Sequence, residues 1–158
     1  MIQIKPHLLD AVYRHAIHEY PSECCGIVIG KKDIADHFEM VFPCRNAQDE
    51  MHTKTPADFP RTSKNAYFID PNDLLRVQKM SRERGMEMKI IYHSHVNVGA
   101  YFSEEDKKQA TYEGKPIYPD VLYLVVNITQ NPTRDLAKLF GWDDTKKDFV
   151  ELDWELSQ

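Results

Sequence analysis

The chain has little cysteine: three residues in 158, two of them adjacent at Cys24 and Cys25. An odd set spaced in that way does not build a disulfide framework, so the thiols read as reduced. Long apolar runs are also missing. The longest, Val121 to Val126, falls far short of the ~20 residues that a spanning helix needs, and Asp10 and Arg14 interrupt any signal-like stretch near the start. These absences point to the cytoplasm and exclude a membrane partner. No dense Lys/Arg run occurs and the formal charge is -5, which leaves no electrostatic footprint for a nucleic-acid backbone. Internal repeats and low-complexity segments are absent as well.

What is present is ordinary globular material, with 42% hydrophobic and 28% charged residues. A chain of this length buries roughly 68 to 70% of its unfolded surface, enough for one sizeable core, so residues 1–158 read as a single domain.

Pro6 suits a first helical turn, and Leu9, Tyr13, Ala16 and Tyr20 recur at helical spacing until Pro21. Glu23 to Gly30, ECCGIVIG, reads as a buried strand, and Ala35 to Phe42 as a second one ending at Pro43. Cys44 to Ala66 is polar, holds Pro56 and Pro60 and has no period, which predicts a flexible flap. FIDPNDLL then gives a short strand, Asp70 as N-cap and Pro71 at the first helical position of a helix running to Gly85. Met86 to His95 reads as a strand, Ser103 to about Glu113 as a helix, and Asp120 to Ile128 as a strand. Asp135 to Leu156 reads as two strands joined at WDDTKK. The order predicts an α/β architecture, a mixed sheet flanked by helices.

The chemistry concentrates in YHSHVNVGAYFSEED, Tyr92 to Asp106. Alternate residues of a strand share a face, so His93 and His95 point the same way, roughly 7 Å apart at Cα. Two imidazoles at that distance converge on one ion. A hydrolytic zinc site takes three N/O ligands and keeps a position open for water. Asp106, in the first turn of the next helix, supplies the third if the loop folds back, a turn that Gly99 eases. Glu23 is the candidate base and Ser103 the candidate oxyanion donor.

A plainer reading competes with this one. Ser103 with Asp106 three residues later resembles a capping box, and the histidines alone are compatible with a partly exposed strand end. The joint spacing favours the metal site, since the four-residue pattern arises by chance in well under about 1% of chains of this length. His15 and His18 lack an HExxH pattern and read as solvated helix residues, and His7, His37 and His52 have no partner in sequence. Tyr92 and Tyr101 flank the motif as groove or packing residues. The acidic residues from Asp143 to Glu155 read as a solvated strand face.

The run His93-Ser94-His95, seven residues, Ser103, two residues, Asp106 resembles the signature of the JAMM (MPN+) metalloproteases. These are zinc hydrolases that cleave peptide or isopeptide bonds at the C-termini of ubiquitin and ubiquitin-like proteins. PSECCGIVIG is similar to the segment carrying their catalytic glutamate, which falls on Glu23. Asn46, YFIDP at Tyr67 to Pro71 and VLYLVVN are similar to small prokaryotic members. The resemblance implies one zinc per chain on His93, His95 and Asp106, with Glu23 as base and proton shuttle and Ser103 steadying the tetrahedral intermediate. It also implies a curved mixed sheet similar to cytidine deaminases, whose PCxxC pattern is missing here. The implied partner is a ubiquitin-like or sulfur-carrier protein with a Gly-Gly C-terminus.

Val96 and Phe102 stand where the family usually has prolines, and two lost φ restraints predict a looser loop. Two other functions fit less of the pattern. One is a metal-free scaffold of the same fold that binds a protein partner. The other is a cysteine hydrolase using Cys24 or Cys25 with a histidine.

Overall fold

Residues 1–158 are all described in the computed structural model. Helix α1, Pro6–Glu19, begins at the proline and buries Leu8, Val12, Tyr13 and Ala16, the stripe set by helical periodicity. Strand β2, Cys25–Lys31, is buried along almost its whole length, and β3, Met40–Cys44, pairs with it antiparallel. Helix α2, Gln48–Lys54, and helix α3, Pro71–Glu83, lead to β4, Met86–Val96. Helix α4, Glu104–Ala110, is followed by a small hairpin of β5, Thr111–Tyr112, and β6, Lys115–Pro116. Strands β7, Leu122–Thr129, β8, Thr133–Asp143, and β9, Asp148–Leu152, complete the main sheet.

That sheet has six strands in the order β3-β2-β4-β7-β8-β9. Only β4 and β7 run parallel, with α4 in the connection between them, so the sheet is mixed. One face packs on α1, through Leu8, Val12, Tyr13 and Ala16 against Val28, Ile90, Tyr92, Leu124 and Val126. The other carries Cys25, Ile27, Ile91, Tyr123 and Val125 under Val77 of α3, Ala110 of α4, and Tyr67 and Phe102 from the loops. No helix is long and apolar enough to cross a membrane.

Several boundaries differ from the sequence reading. The second strand starts at Met40 rather than Ala35 and runs through Pro43, which is tolerated because β3 lies at the sheet edge. Residues 44–66 hold α2 and a set of specific hydrogen bonds rather than a free flap; Gln48 Nε2 donates to Arg61 O at 2.9 Å and Ser63 N to Asp49 Oδ1 at 2.7 Å. The stretch before Asp70 makes a single bridge, Asn46 to Ile69, not a strand. The fourth helix stops at Ala110 because Glu113 and Gly114 both take positive φ, 52° and 76°, the backbone of a tight hairpin turn. Besides β5 and β6, two further short strands lie outside the sequence reading: β1, Ile2–Ile4, pairs in parallel with β10, Trp154–Leu156, joining the chain ends.

Candidate metal centre

Strand alternation sets His93 and His95 on the face that carries Cys25 and Ile91, while Tyr92 points to the α1 side. Both imidazoles are buried, 0% and 3% exposed, at the end of β4 where it passes between β2 and β7. Their Nε2 atoms are 3.3 Å apart, and each lies 3.1 Å from Asp106 Oδ2. Asp106 is itself 4% exposed, so a carboxylate and two imidazoles converge inside the protein.

Asp106 is delivered by the cap of α4. Ser103 Oγ accepts from Asp106 N at 3.0 Å, and Ser103 N donates to Asp106 Oδ2 at 3.0 Å. The capping box is therefore real, and the same Oδ2 that closes it faces both histidines. The two readings of the Ser-x-x-Asp spacing describe one arrangement. Burial disfavours the Asp106 carboxylate, but the charge and hydrogen bonds of His93, with those of His95 and Ser103 N, outweigh it and hold its pKa well below the usual range.

The donor set fits a tetrahedral ion. With ligand distances of about 2.0–2.1 Å for zinc, neighbouring ligand atoms stand about 3.3 Å apart, close to the triangle formed here. His95 Nδ1 lies 3.0 Å from Gly99 O, which can only accept, so Nδ1 carries a proton and Nε2 is the nitrogen that faces the cluster. Gly99, at φ 92°, is held in turn by Asn127 Oδ1, which accepts from Gly99 N at 3.0 Å, and Asn127 Nδ2 donates to Asp135 Oδ2 at 2.8 Å. The His93 ring stacks on Tyr67, centroids 4.3 Å apart, and Tyr101 lies edge-on to His95 at 4.7 Å.

Glu23 stands just before β2. Cys25 faces His93 in the strand register, Ser94 N donates to Cys24 O at 3.1 Å, and Cys24 N donates to Ser94 Oγ at 2.7 Å. The same register carried back brings Glu23 alongside His95. Glu23 is 4% exposed and its buried Oε1 has no hydrogen-bond partner. Burial first, and the nearby negative charge of Asp106 second, push its pKa up to about 9.

The remaining candidates lie elsewhere or are inert. Cys24 is buried and its thiol is pushed up to about 12, chiefly by desolvation, which opposes a nucleophilic thiolate. His15 Nδ1 lies 2.8 Å from Tyr92 Oη on the α1 side of the sheet, away from the cluster. Phe102 replaces a backbone restraint with burial: its ring packs on Tyr123, Phe140 and Phe149 at 5.1, 5.5 and 4.9 Å, anchoring the loop before α4. Tyr67, Asn127 and Gly99 O were not singled out as parts of the site in the sequence. The one signal for Asn127 is a polar residue inside the otherwise apolar run VLYLVVNI.

A buried His-His-Asp cluster at the end of a parallel strand pair in a mixed sheet defines a class, and the chain belongs to it: the prokaryotic homologues of the JAB domain, whose sequence profile matches residues 5–139. The chain is 29% identical over 134 residues to the CysO-cysteine peptidase of Mycobacterium tuberculosis, covering 85% of this chain and 77% of that protein. It is 30% identical over 103 residues to a probable TtuB-protein conjugate cleaving protease of Thermus thermophilus, covering 65% of this chain and 59% of that protein. Among solved structures, the protein DSY2949 from Desulfitobacterium hafniense superposes with a TM-score of 0.73 at 24% identity, over 100% of this chain and 94% of that one. AF2198, a JAB1/MPN domain protein from Archaeoglobus fulgidus, superposes at 0.53 with 15% identity, covering 99% of each chain.

Proposed function

We propose that this chain, acting as one domain in the cytoplasm, is a zinc-dependent hydrolase. Its substrate is a peptide or isopeptide bond at the C-terminal Gly-Gly tail of a ubiquitin-like or sulfur-carrier protein. The observation that carries the reading is the convergence of His93 Nε2, His95 Nε2 and Asp106 Oδ2 to within 3.1–3.3 Å of one another in a buried site. The relatives named for cleaving CysO-cysteine and TtuB conjugates supply the substrate class.

One zinc per chain would be held by His93, His95 and Asp106, and when bound it supplies Lewis acidity that acidifies water and polarises a carbonyl. Glu23 takes a proton at its carboxylate and passes it to the leaving amine. Ser103 Oγ accepts from Asp106 N, which leaves its hydroxyl hydrogen to donate to the oxyanion. An apolar groove of about 290 Å³, lined by Phe59, Tyr67, Phe68, Leu74, Ile117 and Tyr118, shares with the cluster only Tyr67, whose ring stacks on His93, and is a candidate place for an extended tail.

The test is zinc content together with cleavage of a Gly-Gly-tailed sulfur-carrier protein bearing one C-terminal cysteine. Wild type should hold about one zinc and cleave; His93→Ala and Asp106→Ala should lose both properties while remaining folded. A chain that binds no zinc even after reconstitution would return the fold to the scaffold reading.

A further inference from the structure

Glu23 lies between α1 and β2, where no helix or strand fixes its backbone. Both of its backbone groups are nonetheless bonded, and both partners belong to the segment between β3 and α3. Glu23 N donates to Ser63 O at 2.7 Å, and Glu23 O accepts from Asn46 Nδ2 at 2.9 Å. At the other end of the side chain, Oε1 has no protein partner. The carboxyl is therefore aimed largely through its main chain.

Asn46 makes four bonds at once. Nδ2 also donates to Ala66 O at 3.2 Å, while Oδ1 accepts from Gln48 N and Phe68 N, both at 3.0 Å. Ala66 and Phe68 flank Tyr67, whose ring stacks on His93. One amide thus couples the Glu23 main chain to the residue covering a metal ligand. Only an amide presents two donors and two acceptors in this way; a carboxylate at 46 would turn an acceptor toward the carbonyls of Glu23 and Ala66. Ser63 is fixed by Asp49: Ser63 N donates to Oδ1 at 2.7 Å and Ser63 Oγ to Oδ2 at 2.8 Å.

We infer that Asn46 and Asp49 are positioning residues for Glu23, acting through its carbonyl and through Ser63 respectively, an assignment that rests on the hydrolase reading above. They touch neither substrate nor the ligand atoms. Their effect is placement, and a misplacement of about 1 Å at a reacting group lowers turnover on the order of 100-fold.

The experiment measures steady-state cleavage of the cysteine-bearing Gly-Gly carrier by wild type, Glu23→Gln, Asn46→Asp, Asp49→Ala and the double variant Glu23→Gln/Asn46→Asp. Zinc content and amide exchange at Glu23 and at Phe68, whose N donates to Asn46 Oδ1, are followed in the same proteins. Asn46→Asp should lower kcat about 10- to 100-fold with KM little changed and zinc retained, and should speed exchange at both amides. Added to Glu23→Gln it should lower the residual rate no further, because it acts through that carboxyl. An additive loss in the double variant, or a wild-type kcat in Asn46→Asp, overturns the positioning role. A wild-type rate in Glu23→Gln, or no cleavage by any protein, instead overturns the hydrolase reading. In that case unchanged exchange at Glu23 in Asn46→Asp and Asp49→Ala separately overturns the clamp.

Discussion

Glu23 keeps a carboxyl where its charge is disfavoured, and this gives the protein a pH signature that is independent of catalysis. Its folded pKa of about 9 lies above the ordinary carboxyl value because burial, then Asp106, oppose ionisation. The folded state therefore holds this proton in a range where the unfolded chain has released it. The stabilising contribution is full below the unfolded pKa and is lost as pH rises toward the folded value, by at most about 1.4 kcal/mol per pH unit. In chelator-treated protein, Glu23→Gln should be more stable than wild type by a margin that widens from pH 5.5 to pH 8.5, measured as urea midpoints. A constant margin would show that the carboxyl ionises freely. With zinc restored the margin should narrow, since a nearby cation favours the carboxylate. Gly26 makes a purely steric prediction: a Cβ there would stand 2.3 Å from the Tyr92 ring, which is held by His15 at 2.8 Å and cannot swing aside. Gly26→Ala should lose about 3 kcal/mol in denaturation, at the upper end of overpacking costs.

Helix α4 has only seven residues, too few to persist on intrinsic propensity, so its start depends on the Ser103–Asp106 box. Ser103→Ala removes the acceptor for Asp106 N and should lower stability by about 1 kcal/mol. It should also weaken zinc binding, up to about 10-fold in competition with a chelator, because the first turn that carries the Asp106 carboxylate loses its cap while the bond from the backbone N of residue 103 to Oδ2 remains. Equal zinc affinity in the variant would reduce the box to a cap. Such local signals were legible in the sequence. Proline at the first turn announced α1 and α3, Asp70 announced the cap of α3, and the β-branched runs announced β2, β4 and β7. Other elements have no local cause. Helix α2 carries no apolar period and is held by Gln48, Asp49 and Asn46 reaching partners far along the chain, so it read as a flap. The sequence carries α4 on to about Glu113, but Glu113 and Gly114 form a hairpin turn whose strands begin at Thr111, a pairing that no local pattern announces. The strands β1 and β10 are three residues each and exist only because the chain ends meet.

For the whole molecule the same division separates the His-His-Asp cluster from its surroundings. His93, His95 and Asp106 were legible because a strand period and a helix start fix their relative directions within a short span. Tyr67 and Asn127 were not, because their roles depend on sheet order: Asn127 faces His95 across the β4–β7 pairing, and that register is a property of the assembled sheet. The cluster also ties together elements distant in the architecture, since β4 is central in the sheet while α4 lies over one face. An ion that binds only the folded arrangement adds RT ln(1 + [L]/Kd) to stability, about 4 kcal/mol at a thousandfold excess over Kd. The melting temperature should therefore climb with free zinc and continue to climb beyond saturation of the site, because each further increase in concentration still favours the folded state. In His95→Ala the climb should vanish, although the fold persists. If that variant gains as much as wild type, the stabilising ion sits elsewhere and the His-His-Asp cluster is not its site.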